Sequence, residues 1–285
     1  GLLKCKWNNK EFLVVESYHS KSGLRTDAVN TMFIDREGTL WIGTFGEGLA
    51  SKGDNLFTFY FANPKGAYKV RSILANENEV WVANTGVISV RNKHTLKELK
   101  HFNKENGLPI DAISAMHFTE DSTLFIGTEH RGVYRYVSET NSFKEILLSG
   151  DDLSLTITSL TSLGNQLWIG TLNGVYKMNV KTEGIVSYDV SSGLSHNSVG
   201  DILITKTGDV FIGTRSAFLN KFNDGIFEKI RLTPEYDIVT VNKLIESSDG
   251  AIWISTSDNG VFRVGENIIN ISVLDGLSSN YCYGI

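Results

Sequence analysis

A short string, an aromatic residue followed by Ile-Gly-Thr or a close variant, returns six times: Trp41-Ile-Gly-Thr44, Trp81-Val-Ala-Asn84, Phe125-Ile-Gly-Thr128, Trp168-Ile-Gly-Thr171, Phe211-Ile-Gly-Thr214 and Trp253-Ile-Ser-Thr256. The anchors are 40, 44, 43, 43 and 42 residues apart. A second string precedes most of them in the same register: Gly23-Leu24-Arg-Thr-Asp27, Gly107-Leu108-Pro-Ile-Asp111, Gly193-Leu194-Ser-His-Asn197 and Gly276-Leu277-Ser-Ser-Asn280. Two independent strings with one period mark a repeat architecture, in which each unit buries its apolar surface against its neighbours.

Within one period the pattern predicts four short strands. In the fifth they fall at 199–205, 210–214, 217–222 and 226–230, separated by the turns Lys206-Thr-Gly-Asp209 and Asn223-Asp-Gly225. Such runs are rich in β-branched and aromatic side chains and bounded by Gly, Asn or Asp. Asn-Asp-Gly supplies the positive backbone angles that a tight hairpin turn requires. Comparable turns stand at Asp35-Arg-Glu-Gly38, Asn76-Glu-Asn78, Glu120-Asp-Ser122, Leu163-Gly-Asn165 and Ser248-Asp-Gly250. No window keeps a helical period, so the expected class is all-β. Four strands in about 42 residues point to a β-propeller, whose sheets stack around an axis.

The two ends set the expected blade count. Residues 2–7 and 11–15, joined by Asn8-Asn-Lys10, read as the last two strands of a blade, and 276–285 reads as a first strand. The expectation is therefore one seven-bladed propeller over 1–285. Six complete blades occupy 19–275, and the seventh is shared by 1–18 and 276–285 as a hydrogen-bonded clasp that leaves no free sheet edge. That clasp is incomplete, because the strand that would carry a seventh anchor is absent. The chain thus reads as a piece of a longer protein cut within its repeats. Six blades with loosely attached terminal strands is the alternative. Cys5 and Cys282 fall on the clasp strands flanking the absent one; two thiols is the default reading and a disulfide the alternative.

Composition narrows the functional classes. There are 27 Lys+Arg against 32 Asp+Glu, a net charge of −5 and no basic block, so phosphate backbones find nothing to neutralise and nucleic acid is not an expected partner. The longest apolar runs, such as 12–15, fall far short of the roughly 20 residues that span a bilayer. The first residues carry no secretory-signal pattern. With 27 Gly but 3 Pro, the chain is suited to many tight turns. Two cysteines cannot build a four-thiolate zinc site, and the six histidines (His19, His94, His101, His117, His130, His196) show no His-x-x-x-His spacing. No cofactor or metal is expected.

An Asp or Gly turn, Leu-Trp-Ile-Gly-Thr, a short Gly-containing loop and then Gly-Leu or Gly-Val together resemble the two-component regulator propeller repeat. Trp41, with its turn at Asp35 to Gly38 and its trailing Gly48-Leu49, matches best, and Trp168 with Gly174-Val175-Tyr176 nearly as well. The Trp81 repeat departs most, having Ala83-Asn84 in place of Gly-Thr and no Gly-Leu string ahead of it. The Trp-Asp and Gly-His signatures of WD repeats and the paired glycines of kelch repeats are not seen. The resemblance implies a periplasmic, ligand-sensing propeller of a hybrid two-component system of the kind found in Bacteroidetes, many of which respond to glycan fragments. It further implies a second propeller, a small β-sandwich, a membrane helix and a histidine kinase in the same polypeptide, a homodimeric receptor, and an oligosaccharide or other small ligand as partner. The propeller itself would then be no enzyme.

If the Gly-Leu string enters the innermost strand, the loops before that strand and after each anchor emerge at one end of the ring. Loops on a rigid scaffold are the natural ligand surface. Residues that recur from blade to blade, such as the anchor aromatics and the Asp or Asn closing the Gly-Leu string, are expected to serve packing and turns. Residues that differ are the candidates: Phe45, Glu47, Asn84, Glu129, His130, Arg131, Asn173, Arg215, Asp258 and Asn259 after the anchors, and Arg25, Tyr68, Arg71 and His196 before the inner strands. They offer Arg for carboxylate or sulfate, an aromatic face for sugar stacking and amides for hydroxyls. Two alternatives stand beside sensing. His130 and His196, with Glu129 or Arg215, could abstract a proton as in a propeller polysaccharide lyase or hydrolase, and a broad patch on the rim could make the ring a protein-interaction platform.

Overall fold

The computed structural model describes residues 1–8, 12–53, 57–60, 68–109 and 111–285. Residues 9 and 10 of the Asn8-Asn-Lys10 turn, Glu11 at the expected start of the second strand, Ile110 of the second Gly-Leu string and the side chain of Tyr68 lie outside the described residues. Two strands, β1 (Leu2–Trp7) and β2 (Phe12–Tyr18), form a hairpin. Six antiparallel meanders follow, here numbered as blades. The first comprises Val29–Ile34, Leu40–Gly46, Leu49–Lys52 and Phe57–Tyr60; the second Ser72–Ala75, Glu79–Asn84, Val87–Asn92 and Glu98–Phe102; the third Ile113–Phe118, Leu124–Thr128, Val133–Val137 and Ser142–Ile146. The fourth comprises Ile157–Leu163, Gln166–Thr171, Gly174–Asn179 and Ile185–Tyr188; the fifth Val199–Ile204, Val210–Thr214, Phe218–Asn223 and Ile226–Arg231; the sixth Val241–Glu246, Ile252–Thr256, Val261–Val264 and Ile268–Ile271. Strand boundaries in the fifth blade lie within a residue of those expected, and its Asn223-Asp-Gly225 turn has Asp224 and Gly225 at φ 46° and 91°, both positive as such a turn demands.

The residues gather into two compact units, 1–116 with 137–143, and 117–136 with 144–285. The first unit holds the hairpin and the first two blades, the second holds the fourth to sixth, and the third blade's residues are divided between them. Each unit has its own core. In the first, Trp41 and Leu49 pack with Val70, Ile73, Val80 and Val82 of the next blade. In the second, Trp168 and Val175 pack with Leu194, Val199, Ile202, Ile212 and Phe227, and Phe211 and Leu219 with Val241, Leu244 and Ile254. A fully buried Leu or Val contributes about 2 kcal/mol, so stacking holds what a single sheet could not.

The recurring residues have recurring tasks. The anchor strand is buried on both faces, and its Gly lies under a Val at or just before the start of the next inner strand: a Cβ would come 2.6 Å from Val70 Cγ1 at Gly43, 2.9 Å from Val199 Cγ1 at Gly170 and 2.4 Å from Val241 Cγ1 at Gly213. Such distances leave no room for a side chain, which is why Ile-Gly repeats. The buried anchor Thr turns the following loop by donating its hydroxyl to the carbonyl of Gly48, Gly132 and Gly260 at 2.8, 2.9 and 2.8 Å from Thr44, Thr128 and Thr256. In the fifth blade, where no Gly follows, Thr214 instead meets Ser216 and Ser195, at 3.0 and 2.9 Å.

The Gly-Leu strings close single 3-10 turns, which the strand reading did not contain. Asn103, Asp189 and Ser272 cap the turns Lys104–Asn106, Val190–Ser192 and Val273–Asp275. Gly107, Gly193 and Gly276 end them at φ 82°, 99° and 103°, left-handed values that favour Gly. The Leu that follows is buried at 24, 108, 194 and 277. The closing Asn binds back, Asn197 and Asn280 each accepting from the first amide of the turn, Val190 and Val273, at 2.9 Å.

At the ends, the described residues form six complete blades, the arrangement held as the alternative, and beside them the two-stranded β1–β2 sheet rather than a seventh four-stranded blade. The expected strand at 276–285 is not one: Gly276 caps a 3-10 turn and the rest is irregular. A first strand is held by pairing along an anchor strand, and among the described residues none pairs with 276–285. Its entry is nevertheless held, since Cys282 N–H donates to Thr256 O at 2.9 Å and Asn242 donates to Cys282 O at 2.8 Å, as Val70 N–H does to Thr44 O and Asn30 to Val70 O at 3.2 and 2.7 Å. Cys5 and Cys282 are both thiols.

Candidate functional site

In the first unit the strand of the first anchor runs past its Thr to Gly46, because Tyr68–Lys69 pairs with it, Phe45 opposite Lys69 and Gly46 opposite Tyr68. This extension, which the sequence reading ended at Thr44, presents Phe45 at 54% exposure with the Lys69 ammonium 5.4 Å from its ring centroid. Phe45 is thus an accessible aromatic face beside a cation. Lys69 escaped the sequence reading; its place immediately before Val70, the counterpart of Val29 and Val199, where other blades carry Ala28 or Ser198, was the available signal. Arg25 is exposed, its guanidinium 4.5 Å from the Phe59 ring centroid. Glu47 is half-buried. Arg71 N–H donates to Ala83 O at 2.9 Å, which brings Arg71 alongside Asn84, whose buried side-chain oxygen has no hydrogen-bond partner among the described residues.

In the second unit several candidates are spent on holding loops. Asn173 donates to Asp151 Oδ1 and accepts from Asn197, both at 3.1 Å, so its amide ties two turns together. His196 accepts the Ser198 amide through Nδ1 at 2.9 Å, and Arg215 N–H donates to Ser198 O at 3.0 Å. The structure therefore brings His196 and Arg215 to the same short segment, with the Arg215 side chain exposed. Arg131 and Asn259 donate their backbone amides to Thr128 and Thr256 hydroxyls at 2.9 and 3.0 Å, which fixes the loops bearing Glu129, His130, Arg131 and Asp258. Arg131, His130 and Asp258 are exposed, and Glu129 is half-buried. Tyr281 and Tyr283, not among the sequence candidates, form an exposed edge-to-face pair with ring centroids 4.8 Å apart. The hydrogen bond to Tyr283 raises the Tyr281 pKa, with burial and the Asp258 carboxylate acting in the same direction.

Away from the loops, His117 is half-buried with Nε2 2.8 Å from Ser162 Oγ, and its partial burial pushes its pKa down to about 4. It is a neutral packing histidine. Among the described residues no group of three or more His, Cys, Asp or Glu is placed to hold a metal ion, and no helix is long and apolar enough to cross a membrane.

Fold and repeat define the class, an all-β propeller. Residues 23–46 match the family described as "Two component regulator propeller", so the Trp41 repeat is a two-component regulator propeller repeat. Across 98% of its length the chain is 25% identical to histidine kinase P4 of Formosa agariphila, of which it spans 22%. Its fold is similar to the extracellular domain described as that of a hybrid two-component system from B. thetaiotaomicron, with TM-score 0.75 and 18% identity over 94% of this chain and 38% of that one. It is also similar to virginiamycin B lyase from Staphylococcus aureus in a catalytically inactive form bound to quinupristin, with TM-score 0.71 and 15% identity over 85% of this chain and 83% of that one. The chain thus spans about a fifth of the kinase and less than half of the extracellular domain.

Proposed function

We propose that this chain is the ligand-sensing propeller of a bacterial hybrid two-component receptor, lying on the extracytoplasmic, periplasmic side, and that its ligand is an oligosaccharide fragment. A second propeller and a histidine kinase belong to the same polypeptide, which works as a homodimer. Binding that favours one arrangement of the neighbouring domains would shift the receptor between signalling states. The observation that carries the reading is Phe45, an exposed ring flanked by Lys69 on a loop that differs from its five counterparts, within the repeat that matches the family. A ring face stacks on a sugar and a cation pairs with a carboxylate or sulfate substituent. The terminal segments are read as parts of a seventh blade. The propeller has no catalytic task in this reading: His196 commits Nδ1 to the Ser198 amide, and the resemblance to a lyase rests on the fold alone.

A thermal-shift panel of oligosaccharides, followed by mass analysis of each after incubation, tests the proposal. A raised Tm with one oligosaccharide that is recovered intact supports sensing. Cleaved or unsaturated products would replace it with the lyase reading.

A further inference from the structure

One short segment touches both of the first two anchor strands. Val70 N–H donates to Thr44 O at 3.2 Å and Arg71 N–H to Ala83 O at 2.9 Å, so residues 69–71 cross from Phe45, which lies opposite Lys69, to the neighbourhood of Asn84. Two residues of extended chain cover about 7 Å, a span that a sugar ring and its substituents can fill.

Phe45, Lys69 and Asn84 each lack something that their counterparts have. Elsewhere, cations over anchor rings cover buried aromatics, Lys177 at 5.2 Å from Trp168 and Lys221 at 5.6 Å from Phe211, whereas the Phe45 ring beside Lys69 is more than half exposed. Lys4, Lys93, Lys144, Lys221 and Lys243 each meet a carboxylate at 3.2 Å or less. Lys69 is half-buried and, among the described residues, pairs with no carboxylate, Glu47 included. The sequence that leads to it, 61–68, contains no Asp or Glu and a further lysine, Lys65. Asn84 stands where the other five anchors carry Thr. Thr44, Thr128, Thr171 and Thr256 close on the carbonyls of Gly48, Gly132, Gly174 and Gly260, and Thr214 on Ser216 and Ser195. The Asn84 side-chain oxygen has no such partner among the described residues.

We infer that the oligosaccharide of the sensing reading, on which this assignment rests, is an acidic one. One sugar unit lays its C–H face on Phe45, pairs a carboxylate or sulfate with the Lys69 ammonium and turns a hydroxyl to the Asn84 amide. Lys69 sets the selectivity. A neutral sugar seated on Phe45 strips water from the ammonium without supplying the missing counter-charge, which selects against it.

Calorimetric titration of the 285-residue chain with matched pairs tests the assignment: oligogalacturonate and oligoalginate, each beside its carboxyl-reduced form, and sulfated oligocarrageenan beside its desulfated form. At least one acidic member should bind about tenfold or more tighter than its neutral counterpart, and the pair that shows it tells carboxylate from sulfate. Raised salt should narrow that preference by screening. Lys69→Met should bring the two members within about twofold of each other, while Lys69→Arg should keep them apart. Asn84→Thr, which restores the repeat, should weaken both members about threefold and leave their ratio unchanged. Equal binding within every pair, a preference that Lys69→Met leaves intact, or affinities that Asn84→Thr does not move would overturn the assignment while the sensing reading stands. Binding by no member, acidic or neutral, sinks both.

Discussion

Asp35 shows how much one turn residue can hold. Its side chain is almost wholly buried and meets the Lys93 ammonium of the next blade at 3.0 Å, the Trp41 indole N–H at 2.9 Å and the Thr39 amide at 2.9 Å. Burial alone would raise the carboxyl's pKa, but the donors from Trp41, Lys93 and Thr39 outweigh it and hold it at about 2. The stability this brings is complete above the unfolded-state pKa near 4 and is lost as pH falls toward 2, on the order of 2 kcal/mol. Asp35→Asn leaves Lys93 buried beside Glu37 alone and should cost about 3 kcal/mol in urea unfolding at pH 7, whereas a cost under 1 kcal/mol would mean the pair is dispensable. His117 acts with the opposite sense of protonation. Its folded pKa of about 4 lies below the unfolded value near 6.5, so the unfolded chain takes up the proton first and stability falls as pH drops from 6.5 to 4, by about 3 kcal/mol. Urea midpoints at pH 7 and 4.5 should therefore lie closer together in His117→Gln than in the parent chain. Neither role was legible in the sequence. Asp35 read as a turn residue, which it is, but its cation comes from another blade, and nothing local marks His117 as partly buried.

At the scale of the element, the spacing between anchor Gly and the following β-branched residue sets how closely blades approach. Gly213→Ala puts a methyl 2.4 Å from Val241 Cγ1 and should destabilise by about 1–3 kcal/mol; Val241→Ala in the same chain should return part of that loss. Additive costs in this double-mutant cycle would show that the two residues are not coupled. Strands and hairpin turns were legible because alternation and Asn-Gly or Asp-Gly turns are local signals, and the fifth blade follows them almost residue for residue. The 3-10 turns were not, since Asp189-Val-Ser-Ser-Gly193 carries no apolar period; its capping Asp and terminal Gly were the readable signs. The strand expected at 276–285 failed for another reason: a strand needs a partner, and the sequence pattern cannot state whether one is present.

At the scale of the molecule, the period made the propeller legible before any coordinate, because a 42-residue four-stranded unit has few ways to bury itself. The candidate site was legible only in part. Position picked out Phe45 and Arg25 as loop residues that break the repeat, but Asn173 and His196, which look equally free in sequence, are committed to Asp151, Asn197 and Ser198. The ligand reading therefore rests on the first unit. Phe45 is more than half exposed, so Phe45→Ala should leave the Tm within about 1 °C while removing the stacking face. Calorimetric titration of the parent chain and Phe45→Ala with an oligosaccharide panel tests the central claim most directly. Saturable binding of at least one oligosaccharide, weakened about tenfold or more by Phe45→Ala, is expected; no binding by any, or binding that Phe45→Ala leaves unchanged, would contradict it.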